Sequence, residues 1–268
     1  MKTKIVVCTD LDGTLLDHES YSYKLAKPAL EFIRKKHIPL IFTTSKTATE
    51  IEELCKTTNF YHPFIAENGG LLAIPENYFS NQQPTKIYIR HVVGKSRDDI
   101  NLVLNNLTSS YKFKSFNDMS KDELVTHTGL KPHQALYANQ RDSTEPLLWL
   151  DDPAKLTIFS TQLEEHDLRL ISGGRFHHVM GTHDKATTMT TLLKEFENHS
   201  NAKITSIALG DSPNDLKMLQ TANHGIIIPN PHAPKMCIDN HASLRIAEQP
   251  GPQGWSDSLL ILLKELIE

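Results

Sequence analysis

The strongest constraint on the fold is an apolar, β-branched run near the start of the sequence that ends in acidic residues. Residues 5–8 read Ile-Val-Val-Cys, and the motif D-x-D-G-T follows at residues 10–14. Such a run is typical of a strand that is buried on both faces of a parallel sheet. Because ligands bind at the carboxyl ends of the strands in such sheets, the motif predicts a functional site at this edge.

Further strands and helices alternate along the sequence. Apolar runs at residues 38–42, 64–66 and 204–209 predict buried strands, and helical spacing lies between them, as at residues 25–36. Thr47 and Glu50 form a capping-box pattern that predicts a helix start. This alternation favours right-handed β-α-β units. We therefore predict an α/β fold with a doubly wound, parallel-sheet (Rossmann-like) core.

The alternation changes near residue 82, where helix and strand patterns become mixed. Residues 86–92 alternate like a half-exposed strand, residues 96–107 have helical spacing, and residues 176–180 read as a strand. Parallel α/β character resumes after Asp184. We therefore predict three segments: core at 1–81, an inserted α+β cap domain at 82–184 that closes over the site, and core at 185–268.

Composition narrows the possible partners and compartment. The 268 residues are 39% hydrophobic and 22% charged, with a formal net charge of -4 and no basic stripe. This balance argues against nucleic acid and an anionic membrane as partners, and the apolar runs are too short to span a bilayer. The cysteines Cys8, Cys55 and Cys237 are widely spaced and odd in number, which favours a reducing cytoplasm over a disulfide framework. The oligomeric state stays open.

Asp10 and Asp12 are the first candidates for chemistry. Residues two apart at a strand end project to the same side, and two such close carboxylates repel unless a divalent cation separates them. Gly13 permits a sharp turn beside them. A calcium loop is the alternative interpretation, but the later ligands of such a loop are missing at the required offsets.

Other polar residues follow predicted strand ends or open helices. In chain order they are Thr44, Lys185, Asp211 and Asp215. Thr44 is also explained by helix capping and Asp215 by a favourable acid in a first helical turn. The ordered set D-x-D-G-T, T, K and G-D-x-x-N-D resembles the haloacid-dehalogenase-like phosphatase superfamily over the whole chain.

The resemblance implies a role for each of the catalytic candidates. Asp10 would attack phosphorus, and Asp12 would protonate the leaving oxygen and then activate water. Thr44 and Lys185 would hold the phosphoryl oxygens. The implied cofactor is Mg2+.

The metal ligands implied by the resemblance overlap with this set. Mg2+ would be held by Asp10, by Asp12 through its backbone carbonyl, and by Asp211, with Asp215 in support. Cations are needed there because a carboxylate and a phosphate dianion repel each other.

Longer sequence motifs indicate a narrower class of phosphatase. Residues 44–47 read T-S-K-T in place of the more frequent T-G-R, residues 67–70 read E-N-G-G, and residues 141–146 contain R-x-x-x-E-P. Residues 173–181 read G-G-R-F-H-H-V-M-G. Together these resemble the mannosyl-3-phosphoglycerate phosphatase family, which implies a phosphorylated sugar–glycerate as the small-molecule substrate and mannosylglycerate as the product.

Substrate contacts are expected from the cap and from the loop after the third strand. The guanidinium of Arg175 offers a planar fork for a carboxylate or phosphate. A plain turn or a solvated charge is the alternative at these positions. The predicted contacts are Arg141, Gly174, Arg175, His177, Glu67 and Asn68.

Other functions remain open at this stage. A broader sugar-phosphate phosphatase would use the same acids, and the choice between mannosyl and glucosyl esters is not set by the motifs. A non-catalytic phosphate-ester-binding protein is disfavoured because Asp10, Asp12, Lys185 and Asp211 are all present. The histidines show no recognised zinc-ligand spacing.

Overall fold

The structure is a computed structural model of the chain. It describes residues 4–173, 175–232, 234, 236 and 242–267. The strands are β1 Lys4–Thr9, β2 Leu40–Phe42, β3 Phe64–Ala66, β4 Leu71–Pro75, β5 Tyr88–Val92, β6 Phe113–Ser115, β7 Thr144–Trp149, β8 Leu168–Gly173, β9 Phe176–Gly181, β10 Ile204–Gly210, β11 His224–Ile227 and β12 Leu244–Ile246. The helices are α1 Lys27–Lys35, α2 Ala48–Thr58, α3 Arg97–Leu107, α4 Lys121–Thr128, α5 Pro132–Asn139, α6 Leu156–Glu164, α7 Lys185–Ser200, α8 Leu216–Thr221 and α9 Gly251–Ile267.

A five-stranded parallel sheet forms the centre of the fold. Its order is β12-β11-β10-β1-β2, so β1 lies between β10 and β2. Successive side chains of β1 enter opposite layers, with Val7 in the cluster that contains α1, α2 and α9, and Val6 and Cys8 in the cluster that contains α7 and α8. Burial on both faces explains why the run at residues 5–8 is apolar throughout. The predicted doubly wound α/β core is confirmed.

The predicted strand and helix starts agree well with the structure. Thr47 accepts from the Glu50 N–H at the start of α2, and the Glu50 side chain accepts from the Thr47 N–H in return. This capping box satisfies two of the N–H groups that a helix start leaves without a partner. Helix α8, which follows Ser212, ends at Thr221, and Gly225 lies inside β11.

A second sheet, in the order β6-β7-β9-β8, is antiparallel throughout. Helices α3 and α6 cover one of its faces through Ile100, Leu104 and Phe159. This sheet and helices α3–α6 are called the cap below. The boundary between core and cap at residue 82 stays a prediction. Strand β5 lies after this residue in the sequence, but it pairs with β4 and not with the cap sheet.

None of the described helices has both the length and the apolar character that crossing a bilayer requires.

Candidate active site

Asp10 lies directly after β1 and is buried. Its N–H donates to the Leu209 carbonyl at 2.9 Å, which extends the β1–β10 pairing by one residue. Its own carbonyl accepts from the Thr9 hydroxyl at 2.7 Å, and the Trp255 indole N–H donates to that hydroxyl at 2.9 Å. The backbone of Asp10 is therefore fixed from both sides, which sets the direction of its carboxylate.

Lys185 is the first residue of α7 and is fully buried. Its Nζ lies 2.7 Å from Oδ1 of Asp10 and 2.7 Å from Oδ1 of Asp215. Burial lowers the pKa of Lys185, but the charges of Asp10 and Asp215 outweigh this and raise the pKa above its usual value. The side chain therefore stays a cation between two carboxylates.

Asp211 and Asp215 come from the loop that follows β10. Oδ1 of Asp211 accepts from the Thr14 hydroxyl at 2.8 Å, and its Oδ2 accepts from the Asn230 amide at 2.5 Å. Oδ2 of Asp215 accepts from the N–H groups of Asp211 at 3.2 Å and Ser212 at 3.1 Å. Asp215 therefore supports the loop that presents Asp211, in addition to its contact with Lys185.

Asp10, Asp211 and Asp215 form a cluster that can hold a metal ion. One carboxylate oxygen from each lies within 4.8 Å of the others. Burial raises the pKa of Asp10 well above its usual value, and the charges of Asp215 and Asp211 act in the same direction. Burial also raises the pKa of Asp211. These shifts reflect burial first and the mutual repulsion of the carboxylates second, and hard oxygen donors of this kind suit a divalent cation such as Mg2+.

Gly13 keeps this cluster compact. Its φ is +79°, and a Cβ at this position would lie 2.6 Å from Nδ2 of Asn230 and 2.8 Å from Oδ2 of Asp211. Both the backbone conformation and the close approach exclude a larger residue. The glycine of the D-x-D-G-T motif therefore leaves room for Asp211 to reach the strand end of Asp10.

Asp12 is not a member of the three-carboxylate cluster and contacts a cation of its own. Its Oδ2 lies 2.9 Å from Nζ of Lys46, while its Oδ1 is buried without a hydrogen-bond partner among the described residues. Burial lowers the pKa of Lys46, but the charges of Asp12 and Glu50 raise it above the usual value. Metal coordination by Asp12, expected through its backbone carbonyl, stays a prediction.

Thr44 lies in the loop after β2, beside the end of β1. The Thr43 N–H donates to the Thr9 carbonyl at 2.8 Å, and the Thr44 N–H donates to Ile65 at 3.0 Å. The Thr44 hydroxyl is buried and accepts from the Lys46 N–H at 3.3 Å. Thr44 is thus held at the edge of the sheet where Asp10 lies, and its contact with a phosphoryl group stays a prediction.

Glu67 connects the loop after β3 to the start of cap strand β7. Its fully buried carboxylate accepts from the Asp142 N–H at 2.7 Å, the Ser143 N–H at 3.1 Å and the Thr144 hydroxyl at 2.5 Å. Asn68, the next residue, accepts from the Asn214 amide at 3.0 Å and so lies beside the loop of Asp211. The contacts of Glu67 are internal, and a substrate contact for either residue stays a prediction.

The predicted substrate-contact residues of the cap have different hydrogen-bond partners within the protein. Arg141 donates to the Ala138 carbonyl at 3.0 Å and to the Thr144 hydroxyl at 2.7 Å, and lies 4.0 Å from Glu67. Arg175 is exposed and donates to the Thr128 carbonyl at 2.7 Å. The contacts predicted for both arginines stay predictions, and Gly174 lies outside the described residues.

Strand alternation separates His177 from its neighbour His178. His177 lies opposite Leu147 and within 3.1 Å of the Ser172 hydroxyl, while His178 lies opposite Pro146. Burial, and then the nearby charge of Arg141, lower the pKa of His178 to about 3. The register of β9 thus distinguishes the two histidines, and the substrate contact expected of His177 stays a prediction.

The chain belongs to the haloacid dehalogenase-like hydrolases, whose sequence profile matches residues 7–235. Two curated relatives have names that also state a substrate. A glucosyl-3-phosphoglycerate/mannosyl-3-phosphoglycerate phosphatase from Persephonella marina is 34% identical over 98% of both chains. A phosphatase with the same name from Methanococcoides burtonii is 33% identical over 97% of both chains.

The similarity to solved structures supports the fold and does not extend to function. A haloacid dehalogenase-like hydrolase from Bacteroides thetaiotaomicron is 17% identical, with a TM-score of 0.68 over 97% of this chain and 100% of that one. A haloacid dehalogenase-like hydrolase from B. subtilis is also 17% identical, with a TM-score of 0.65 over 99% of this chain and 100% of that one.

Three residues at the site were not singled out from the sequence. Thr14 could have been found from its place in the D-x-D-G-T motif. Its hydroxyl donates a hydrogen bond to Asp211. Asn230 follows the apolar run at residues 226–228, so a polar residue after a strand could have been noticed. Lys46 lies in the T-S-K-T string, but its contact with Asp12 depends on how two loops meet.

Proposed function

We propose that this hydrolase is a Mg2+-dependent phosphatase that acts through an aspartyl-phosphate intermediate, with mannosyl-3-phosphoglycerate as its main substrate. The observation that carries the proposal is the meeting of Asp10, Lys185 and Asp211 at one buried point. The names of the relatives add the substrate class, and they cover both glucosyl and mannosyl esters.

The first step is attack by a carboxylate oxygen of Asp10 on phosphorus. A bond from that oxygen to phosphorus forms, the bond from phosphorus to the glycerate oxygen breaks, and Asp12 gives its proton to the leaving oxygen. Lys185, 2.7 Å from Asp10, offsets the charge of the transferred group. The Thr44 hydroxyl is expected to bind a phosphoryl oxygen.

The second step returns the enzyme to its starting state. Asp12, now ionised, takes a proton from water as the water oxygen attacks phosphorus, and the bond to Asp10 breaks to release inorganic phosphate. Mg2+, when held by Asp10 and Asp211 with Asp215 behind them, would reduce the repulsion between phosphate and carboxylates. The hydrogen bonds from Thr14 and Asn230 hold Asp211 in position for this role.

We place the reaction in the cytoplasm. Cys8 and Cys55 are buried free thiols, and burial raises the pKa of the Cys8 thiol to about 12, so it stays protonated and unreactive. Free structural thiols of this kind are compatible with a reducing compartment.

The test is phosphate release from mannosyl-3-phosphoglycerate, glucosyl-3-phosphoglycerate, mannose 6-phosphate and glucose 6-phosphate, each with Mg2+ and with a chelator. We expect Mg2+-dependent turnover with kcat/KM highest for the two phosphoglycerate esters. Comparable slow release from all four would indicate a broader sugar-phosphate phosphatase. Absence of release from all four would contradict the proposal.

Asp10→Asn tests the nucleophile with a near-isosteric change. We expect no phosphate release and no phosphorylated protein, whereas Asp98→Asn, an exposed acid in the first turn of α3, should behave like the wild type. Turnover by Asp10→Asn comparable to that of the wild type would exclude the covalent route.

A further inference from the structure

The backbone of Lys46 is fixed by hydrogen bonds at a position from which its side chain reaches Asp12. Its carbonyl accepts from the Glu67 N–H at 3.0 Å, and the following residue, Thr47, caps α2. The Thr47 hydroxyl also donates to the Tyr137 carbonyl of the cap at 2.9 Å. The position of the Lys46 Cα is therefore set by the core and the cap together.

The side chain of Lys46 reaches from this anchor to Asp12. Its Nζ lies 2.9 Å from Oδ2 of Asp12, 3.9 Å from Oε1 of Glu50 and 5.1 Å from the ring centre of Tyr21. The capping box of α2 uses the other Glu50 oxygen, Oε2, so the helix start does not depend on Lys46. About one fifth of the side chain is exposed, so solvent or a ligand can reach it.

The contact with Asp12 places this ammonium close to the leaving group. In the proposed reaction Asp12 hydrogen-bonds the leaving oxygen, and Lys46 hydrogen-bonds Asp12. Because Lys46 contacts Oδ2 and Oδ1 has no other partner among the described residues, the leaving oxygen can bond to Oδ1. The two hydrogen bonds and the width of the carboxylate then limit its separation from Nζ to about 8 Å. In a 3-phosphoglycerate ester the carboxylate carbon is only three bonds from the leaving oxygen, so the carboxylate falls within this reach.

Three other described cations, Lys185, Arg141 and Arg175, have hydrogen-bond or ion-pair partners within the protein. Lys185 contacts two buried carboxylates, Asp10 and Asp215. Arg141 donates within the cap and faces Glu67, and Arg175 donates to Thr128. Of these four described cations, Lys46 is the one that lies beside Asp12, where it could turn to a second negative group on the substrate.

We propose that Lys46 is a specificity-determining residue that binds the carboxylate of the substrate's phosphoglycerate moiety. The inference rests on the proposed function and names the group that distinguishes this substrate from simple sugar phosphates. It also explains a lysine in the T-S-K-T string, because the compact ammonium can turn between Asp12 and a substrate carboxylate while its stem stays packed.

The test uses two probes that differ at the carboxylate position. 3-Phosphoglycerate carries the carboxylate, and glycerol 3-phosphate has a hydroxymethyl group there. Each is measured as a competitive inhibitor of p-nitrophenyl phosphate hydrolysis, and the ratio of the two Ki values is the readout. We expect wild-type protein to prefer 3-phosphoglycerate by about 10-fold or more, as a charge-assisted contact predicts.

Lys46→Met should bring this ratio close to one, and Lys46→Arg should retain part of it. Lys56→Met removes an exposed lysine from α2 and should leave the ratio at the wild-type value. Since p-nitrophenyl phosphate turnover by Lys46→Met can itself fall, binding of both probes is also measured by calorimetry, and thermal unfolding confirms that each variant is folded.

A wild-type ratio near one, or a high ratio that survives in folded Lys46→Met, would overturn the assignment of Lys46. If wild-type protein hydrolyses mannosyl-3-phosphoglycerate and the ratio is insensitive to Lys46, only this inference fails. If wild-type protein hydrolyses neither phosphoglycerate ester, the proposed function fails whatever the ratio.

Discussion

Nζ of Lys185 lies 2.7 Å from Oδ1 of Asp10, although the two residues are 175 positions apart in the sequence. The ion pair joins the end of β1 to the start of α7, and the whole cap sequence lies between them. It therefore links the two halves of the core at the point where chemistry is proposed to occur.

Lys185→Met should lower both the free energy of unfolding and the rate of phosphate release. Removing the ammonium leaves Asp10 and Asp215 buried without their cation, and breaking a buried pair in this way costs about 3–5 kcal/mol. Urea unfolding without divalent cations measures the loss, and phosphate release measures activity. Lys194→Met, an exposed change on the same helix, should stay close to the wild type. Equal unfolding midpoints for the two variants would contradict a structural role for the pair.

Mg2+ should stabilise the protein more at neutral than at acidic pH. The pKa values of Asp10 and Asp211 are raised mainly by burial, so without a cation their contribution to stability falls as pH rises from about 4 through the folded-state values. Mg2+ needs the ionised carboxylates and reverses this loss. At 100 times its Kd the gain is about 2.7 kcal/mol.

Thermal unfolding at pH 5 and pH 7.5, with and without Mg2+, tests this dependence. Asp211→Asn should abolish the shift in Tm caused by Mg2+, and Asp98→Asn should keep it. A shift of the same size at both pH values would argue against binding at these carboxylates.

His62 should make the protein less stable in acid. Burial lowers its pKa to about 4, and its Nδ1 lies 2.7 Å from the Tyr78 hydroxyl. Because the unfolded chain takes up the proton first, the contribution of His62 is present above about pH 6.5 and is lost as pH falls toward 4.

In His62→Gln the loss of stability between pH 7 and pH 5 should be smaller than in wild-type protein by roughly 1–2 kcal/mol. Urea unfolding at both pH values gives the comparison. His166→Gln replaces an exposed histidine and is the matched control. Parallel pH profiles for wild type and His62→Gln would contradict the prediction.

Glu67→Ala should destabilise the connection between core and cap. The change leaves three donors of residues 142–144 without their acceptor, and each buried donor without a partner costs about 1–3 kcal/mol. For three such donors we expect an overall loss of about 3 kcal/mol or more in urea unfolding. Glu31→Ala, on the exposed side of α1, should change stability by less than about 0.5 kcal/mol.

Gly94→Ala should introduce a clash between two chain segments near the cap. An added Cβ would lie 1.9 Å from Nδ1 of His183, a buried ring that also lies against Gly70 and Gly181. Overpacking of this kind costs about 1–3 kcal/mol. Thermal unfolding should show that His183→Ala restores part of the loss when combined with Gly94→Ala, because the two changes share one contact. Strictly additive losses would mean that the clash is relieved elsewhere.

Local patterns in the sequence predicted much of the secondary structure correctly. The run at residues 5–8 predicted a strand buried on both faces, and the structure places Val7 in one layer and Val6 and Cys8 in the other. The capping box of Thr47 and Glu50 was also predicted correctly, because its two partners are three residues apart. Signals of this kind depend only on neighbouring residues.

The contacts of polar side chains between distant segments could not be predicted in the same way. Glu67 accepts hydrogen bonds from residues 142–144, and Arg141 donates to Thr144, neither of which the sequence predicted. The substrate contacts expected of both residues stay predictions. Lys46 was not expected at the site, yet it contacts Asp12. Each of these contacts depends on how two loops approach each other.

The order of strands and helices could be predicted from the amino-acid sequence, because alternation, capping and turn chemistry depend on neighbouring residues. The same holds for the candidate acids at strand ends and for the lysine at a helix start. Which charges meet became clear from the folded chain: Lys185 contacts Asp10 and Asp215, and Lys46 contacts Asp12. The charge balance of a buried site depends on side chains that folding brings within a few ångströms, whatever their separation along the chain.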